Sequence, residues 1–122
     1  MDNVTNICGT FYCSESLKEI NVSKFNTNNV TDMSYMFFVC SSLKKLNLQN
    51  FNTNKVNNMS YMFYQCISLE DLNIDNFDTI NAKDMKGIFC ECLKLKEIKI
   101  NGLNLNNIKN MDYMFWLFPT DL

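Results

Sequence analysis

The chain has no histidine and no arginine, and its 122 residues include only three glycines and one proline. Without histidine, the commonest general base and a frequent zinc ligand are missing. Without arginine, bidentate contacts to phosphate and guanine are missing too, and a formal net charge of −2 gives no attraction to nucleic acid. No glycine-rich loop could hold a phosphate. We therefore expect no catalytic residue, no cofactor and no nucleic-acid partner.

Long apolar runs and linkers are also lacking. No uninterrupted apolar stretch approaches the roughly 18 residues of a membrane span, and the first residues show no basic start followed by an apolar run. No segment rich in proline, serine or like charges divides the chain. The sequence therefore predicts a single domain over residues 1–122, with no membrane span and no visible export signal.

The sequence repeats itself at a constant interval along the chain. Met33, Met59, Met85 and Met111 are evenly spaced (59 − 33 = 26), and so are Phe37, Phe63, Phe89 and Phe115. Such a period is typical of a solenoid, in which each unit buries its apolar side against its neighbours. The predicted units are a partial repeat over 1–16, full repeats over 17–42, 43–68, 69–94 and 95–118, and a tail over 119–122.

Each unit is predicted to contain one short strand and one short helix. Alternation of apolar and polar residues around Leu46 and Leu48 is typical of a half-buried strand. Val56, Met59 and Phe63 follow at three- and four-residue steps, which indicates one face of a helix. The expected fold is therefore an α/β, right-handed solenoid of parallel strands, curved because helices stack more widely than strands.

The repeat resembles a known family. The segment over residues 43–66 combines Leu-x-x-Leu-x-Leu-x-x-Phe-Asn-Thr with Val-x-x-Met-Ser-Tyr-Met-Phe. This pattern is similar to the BspA-like leucine-rich repeats of surface proteins in mycoplasmas, spirochaetes and some protists, and the likeness extends over nearly the whole chain. It implies a leucine-rich-repeat horseshoe and adhesion to host or matrix proteins. Surface members carry a signal peptide or lipid anchor, so the expected location stays open between cell surface, cytoplasm and a fragment of a longer protein.

The methionines and cysteines allow structural and functional interpretations. Methionines at helical spacing predict core filling rather than a metal or promiscuous binding surface. Cys40, Cys66 and Cys92 share one repeat position, which favours a ladder of small buried side chains. One alternative is a disulfide, for which Cys40 and Cys66 would be neighbours in space, although bonding requires Cβ vectors that converge. The other is a metal site at Cys90 and Cys92, which neither the spacing nor the absence of histidine supports. We expect no metal site.

Strand alternation selects the candidate protein-binding face, which is the open side of the predicted sheet. It consists of Glu19, Asn21, Ser23, Lys45, Asn47, Gln49, Asp71, Asn73, Asp75, Glu97, Lys99 and Asn101. Its charges alternate between units, so no single-sign partner is indicated. The asparagines at 21, 47 and 73 form either a row that reads a ligand or a hydrogen-bonded ladder that serves stacking.

Aromatic residues form two further columns, one with Tyr35, Tyr61 and Tyr113 and another with Phe38, Tyr64 and Trp116. They act either as interface anchors or as packing between units. The third unit interrupts both columns with Gly87 and Cys90.

The chain ends and the function each leave alternatives. An uncapped apolar C-terminus indicates a fragment of a longer array, end-to-end self-association, or a terminus that folds over as a cap. Because the repeat pattern favours binding over catalysis, we expect a protein-protein interaction module, with adhesion at a cell surface as the first hypothesis. An intracellular or self-associating structural scaffold is the second hypothesis. An enzyme is a remote third, which selective labelling of one cysteine would revive.

Overall fold

The computed structural model describes residues 3–100 and 103–119 and shows a parallel sheet built from successive repeats. Three strands, β1 (Lys45–Asn47), β2 (Asp71–Asn73) and β3 (Glu97–Lys99), pair in the order β1-β2-β3. All pairs are parallel, and each residue pairs with its equivalent in the next repeat (71 − 45 = 26). The central residues Leu46 and Leu72 point into the core while their neighbours are more exposed. The strands predicted for the repeats over 43–68, 69–94 and 95–118 are confirmed with their register, whereas the repeat over 17–42, which was also predicted to contain a strand, forms none.

A second line of parallel pairing runs through the same repeats. Its rungs are isolated bridges joining Asn6, Asp32, Asn58, Asp84 and Asn110 in succession. The side-chain oxygen of each of these residues accepts the backbone N–H two positions later, at 2.8 to 3.1 Å. Asparagine and aspartate alternate along the column, so carboxylates occupy every second rung. Neighbouring rungs therefore carry no like-charge pair, which would destabilise adjacent strands.

The predicted helix in each unit is wrong for the described part of the chain, where no helix is present. In the segment that was expected to be helical, alternate N–H groups donate to carbonyls of the next repeat, which an α-helix would not allow. Met59, Tyr61 and Phe63 donate to carbonyls of the following repeat at 2.8, 2.8 and 3.0 Å. The predicted α/β fold class is therefore wrong. The described chain is instead a stack of repeats joined by parallel β pairing and connected by turns.

Repeated turns explain why the helical pattern was misleading. Between the inter-repeat bonds, Met62, Tyr64 and Cys66 donate to carbonyls three residues earlier. Tyr61 and Gln65 have φ angles of 57° and 54°, in the left-handed region that a right-handed helix excludes. A chain of such turns changes direction every few residues, so it buries residues at the same three- and four-residue steps as a helix. The predicted curvature depended on helices that stack more widely than strands, so without helices it has no support. The right-handed sense of the solenoid remains a prediction.

Core packing follows the repeat columns. Phe37, Phe63 and Phe89 are fully buried, and neighbouring rings in this column stack with centroids 5.8 and 5.9 Å apart. The methionines of the middle repeats are also buried, as predicted. Met111 is the exception at 44% exposed, because it lies in the last described repeat and has a neighbouring repeat on one side. No helix in the described residues is long and apolar enough to cross a membrane.

Candidate binding surfaces

The strand side of the stack contains an open groove of about 750 Å³, here called the strand groove. Ten of the twelve residues predicted for the binding face line it. They are Glu19, Asn21, Ser23, Lys45, Asn47, Gln49, Asp71, Asn73, Glu97 and Lys99. Asp75 is not among the lining residues, and Asn101 lies outside the described residues. The residues of β1, β2 and β3 converge because alternate positions of parallel strands point to the same face. Glu19, Asn21 and Ser23 occupy the same repeat positions one repeat earlier and extend the groove.

The strand groove carries charges of both signs in fixed rows. The pairing register places Lys45 beside Asp71, and Asp71 beside Glu97. Lys99 Nζ lies 3.9 Å from Glu97 Oε1, with both side chains more than half exposed. Ion pairs this exposed contribute little to stability. The charges of the groove are therefore accessible to a partner that carries charges of both signs.

The asparagine column of the strand groove has a local structural role. The Oδ1 atoms of Asn21, Asn47 and Asn73 each accept a backbone N–H two residues later at 3.0 Å. β1 and β2 therefore each end in a turn that an asparagine side chain caps, as asparagine often does. The oxygen of each amide accepts a hydrogen bond within its own repeat. These bonds therefore do not form the ladder between repeats that was one of the two alternatives for these positions.

A ladder between repeats does exist, three positions further along. Asn50 Nδ2 donates to the carbonyls of Val22 and Phe25 in the preceding repeat at 3.0 and 3.1 Å. Asn76 Nδ2 makes the equivalent bonds to Leu48 and Phe51 at 2.9 and 2.8 Å. Lysine and glycine occupy the corresponding positions 24 and 102, which hid this column in the sequence.

Buried threonines join the repeats in the same way and were not identified from the sequence. Thr53 Oγ1 donates to the Asp78 carbonyl at 3.0 Å and accepts the Asp78 N–H at 2.8 Å. Thr27 and Thr79 repeat this arrangement with residues 52 and 104. The recurring Phe-Asn-Thr or Phe-Asp-Thr triplet was the available signal. These side chains are nearly fully buried and satisfied, so they hold the stack rather than a ligand.

The cysteine column is a hydrogen-bonded ladder of free thiols. Cys40, Cys66 and Cys92 are fully buried, and each Sγ donates to a carbonyl of the preceding repeat at 3.2 to 3.3 Å. All six cysteines are free. Burial raises the pKa of Cys40 to about 11 and that of Cys92 to about 12. Thiols held protonated in this way are poor nucleophiles. The described residues contain no group of three potential metal ligands.

Aromatic rings from successive repeats form the second surface. Tyr12, Phe38 and Tyr64 stack in one column, with centroids 4.8 Å apart at each step. Tyr35 and Tyr61 stack in the neighbouring column at 5.2 Å. The packing interpretation therefore holds for these rings. Near the C-terminal end, Tyr113 and Trp116 are more than half exposed.

Beside these columns lies an open cavity of about 520 Å³, here called the aromatic cleft. It forms where the third repeat lacks both aromatic residues. Its lining residues are Tyr35, Phe38, Tyr61, Tyr64, Cys90, Glu91, Tyr113 and Trp116. The rim is polar, because Gln65 Nε2 donates to Glu91 Oε2 at 2.6 Å. Desolvation, followed by the negative charge and hydrogen bonding of Glu91, raises the pKa of Tyr64.

The C-terminal end of the stack exposes apolar side chains. Phe115 and Leu117 are 46% and 55% exposed. Phe118 meets the Phe115 ring edge-on at 5.2 Å, so it covers part of this end. Phe118 thus folds over this end as the predicted cap would, but Phe115 and Leu117 stay about half exposed. End-to-end self-association remains a prediction.

Comparison with known proteins adds a family but no function. No curated protein and no solved structure matches the chain significantly. The family model described as "Mycoplasma protein of unknown function, DUF285" matches residues 1–97, which is most of the 122-residue chain. Both lines of pairing keep the same one-repeat register, so the match fits a protein built from repeats. The chain belongs to the DUF285 family of Mycoplasma proteins.

Proposed function

We propose that the chain is a non-catalytic protein-binding module that acts at a cell surface and holds its partner in the strand groove. The observation that carries the proposal is the convergence of ten polar and charged side chains on one open groove of about 750 Å³. The similarity of the repeat to BspA-like leucine-rich repeats supports an adhesive role and a host or matrix protein as partner.

Chemistry in the groove favours recognition over catalysis. Lys45, Asp71 and Glu97 present charges from rigidly paired neighbouring strands. Such a row can match charges of opposite sign on a protein surface, which gives specificity and speeds association. The described residues of the groove include no cysteine, and the chain has no histidine, so a nucleophile with a matched base is not assembled there.

Reversal of one groove charge tests this proposal. The variant Lys45→Glu places a carboxylate beside Asp71, while Lys83→Glu makes the same change at an exposed lysine that does not line the groove. Binding is measured by surface plasmon resonance on immobilised collagen, laminin and fibronectin. We expect wild type and Lys83→Glu to bind at least one of them alike, and Lys45→Glu to bind about tenfold or more weakly.

Circular dichroism and urea unfolding of the three proteins provide the control for folding. Unchanged binding by Lys45→Glu would exclude the strand groove as the binding face. Alanine at Asn47 or Asn73 is a poorer test, because their Oδ1 atoms hold the turns after the strands.

A structural scaffold is the second candidate function, and the apolar C-terminal end favours it. Phe115, Trp116 and Leu117 are each about half exposed, and Phe118 packs edge-on against the Phe115 ring. Contacts between copies at this end would extend the stack. Sedimentation analysis of wild type and Leu117→Lys separates the two functions. A concentration-dependent oligomer that the lysine variant abolishes supports the scaffold, and a monomer throughout contradicts it.

A further inference from the structure

The aromatic cleft marks the place of one missing ring in an otherwise regular stack. Tyr12, Phe38 and Tyr64 occupy one position in successive repeats and stack at 4.8 Å per repeat, with interplanar angles of 2° and 13°. The next position is Cys90, and the one after it is Trp116. Two repeat steps therefore separate Tyr64 from Trp116, or roughly 9 to 10 Å at the usual spacing of parallel chains. One aromatic ring fits between two others at that separation, since stacked centroids lie about 4.5 to 7 Å apart.

The rings on either side of the gap hold similar positions within their own repeats. Tyr64 meets Tyr61 edge-on, with the ring planes at 81°. Trp116 meets Tyr113 in the same way, at 85°. A partner ring held within each repeat limits rotation of the wall, so both walls of the gap are pre-organised. Cys90 forms the floor and is only 5% exposed.

The neighbouring gap is already closed by the chain itself, which distinguishes it from the gap at Cys90. Gly87 interrupts the column of Tyr61 and Tyr113, and the Tyr61 ring lies over it, so that an added Cβ would meet Tyr61 Cε1 at 2.6 Å. Lys86 Nζ spans the same break, at 6.0 Å from the Tyr61 centroid and 5.9 Å from the Tyr113 centroid. No ring from the described chain takes the place above Cys90, where the cavity of about 520 Å³ is found.

We infer that the aromatic cleft binds an aromatic side chain of a protein partner, which stacks between Tyr64 and Trp116 over Cys90. An aromatic centre with a polar rim is the usual composition of an interface anchor site. Glu91 at the rim is a hydrogen-bond acceptor for a phenol O–H or an indole N–H, so tyrosine or tryptophan is the preferred side chain. This inference deepens the proposed binding role. It rests on that proposal only in taking the aromatic ring to come from a protein.

Trp116 is the only tryptophan of the chain, and it reports directly on the cleft. Its fluorescence is titrated with three probes: acetyl-Gly-Tyr-Gly-amide, acetyl-Gly-Leu-Gly-amide and p-cresol. We expect the tyrosine peptide to bind at least about tenfold more tightly than the leucine peptide. Equal binding of the two peptides would overturn the inference. If p-cresol binds and the tyrosine peptide does not, the cleft takes a small aromatic molecule. That result would overturn the inference that the ring belongs to a protein partner.

A substitution at the floor of the cleft tests the missing ring itself. Cys90→Phe supplies a ring from the chain and is expected to weaken binding of the tyrosine peptide at least about tenfold. The matched control is Leu93→Phe, which adds a ring at an exposed residue that does not line the cleft and should bind like wild type. If Cys90→Phe does not fold, Trp116→Leu removes an exposed wall instead, and saturation-transfer NMR is used to detect the peptide. Undiminished binding in the folded variant refutes the cleft. Because no groove residue is changed, the outcome is independent of Lys45→Glu.

Discussion

Replacing Gly9 by alanine distinguishes the observed turns from the helix that the sequence pattern suggested. Gly9 has a φ angle of 67° and occupies the repeat position of Tyr35, Tyr61, Gly87 and Tyr113, all of which are also left-handed. An added Cβ would have Tyr12 Cβ as its nearest neighbour at 3.7 Å, an ordinary contact. The substitution therefore changes backbone strain without creating a clash.

The expected sign follows from the backbone alone. An L-residue in the left-handed region costs about 1 to 2 kcal/mol, and the lower entropy of the unfolded alanine chain offsets about 0.4 to 1 kcal/mol. Gly9→Ala should therefore lower the free energy of unfolding by about 1 kcal/mol, or roughly 4 °C in Tm for a chain of this size. In a helix the same change would raise stability by about 1 kcal/mol.

Urea and thermal unfolding followed by circular dichroism provide the measurement. Gly87→Ala is the graded companion, because its φ is 61° and its added Cβ would also collide with the Tyr61 ring. It should destabilise the protein more than Gly9→Ala does. A stabilising Gly9→Ala would refute the left-handed turn and restore the helix.

Two further predictions concern the buried columns. Phe63→Ala should lower the free energy of unfolding by about 3 to 5 kcal/mol, because Phe63 is fully buried between two stacked rings. Phe115 is 46% exposed, so Phe115→Ala should lower it by about half as much. Equal urea midpoints for the two variants would contradict this packing. Burial raises the pKa of the Cys92 thiol from 9.0 to about 12, so the unfolded chain loses this proton at a lower pH than the folded chain does. The stability that the protonated thiol contributes is therefore fully present below about pH 9 and is lost as the pH rises towards 12. Urea unfolding at neutral pH and at about pH 10 should show a smaller decline for Cys92→Ala than for wild type, and identical declines would argue against a buried thiol.

Membership of the strand groove was accessible to sequence reasoning, but the role of its asparagines was not. Alternation along a strand depends only on local backbone geometry, so Lys45 and Asn47 could be assigned to the open face in advance. Whether an asparagine bonds within its repeat or across repeats depends on which carbonyls come near it. Asn47 caps its own strand and Asn50 reaches the preceding repeat, although both are exposed polar residues of one segment.

The sequence alone determined the repeat length, the pairing register and most buried columns, because each depends on a period that is visible in the residue order. It did not determine the conformation between the strands. A helix and a chain of tight turns bury residues at the same three- and four-residue steps, and they differ in whether an N–H finds its acceptor within its own unit or in the next one. Tyr61 donates to the Lys86 carbonyl, and its positive φ follows from that long-range pairing. Tertiary stacking therefore decided the backbone path, and it turned the interruption at Cys90, which the sequence already showed, into a cleft lined by Tyr64 and Trp116.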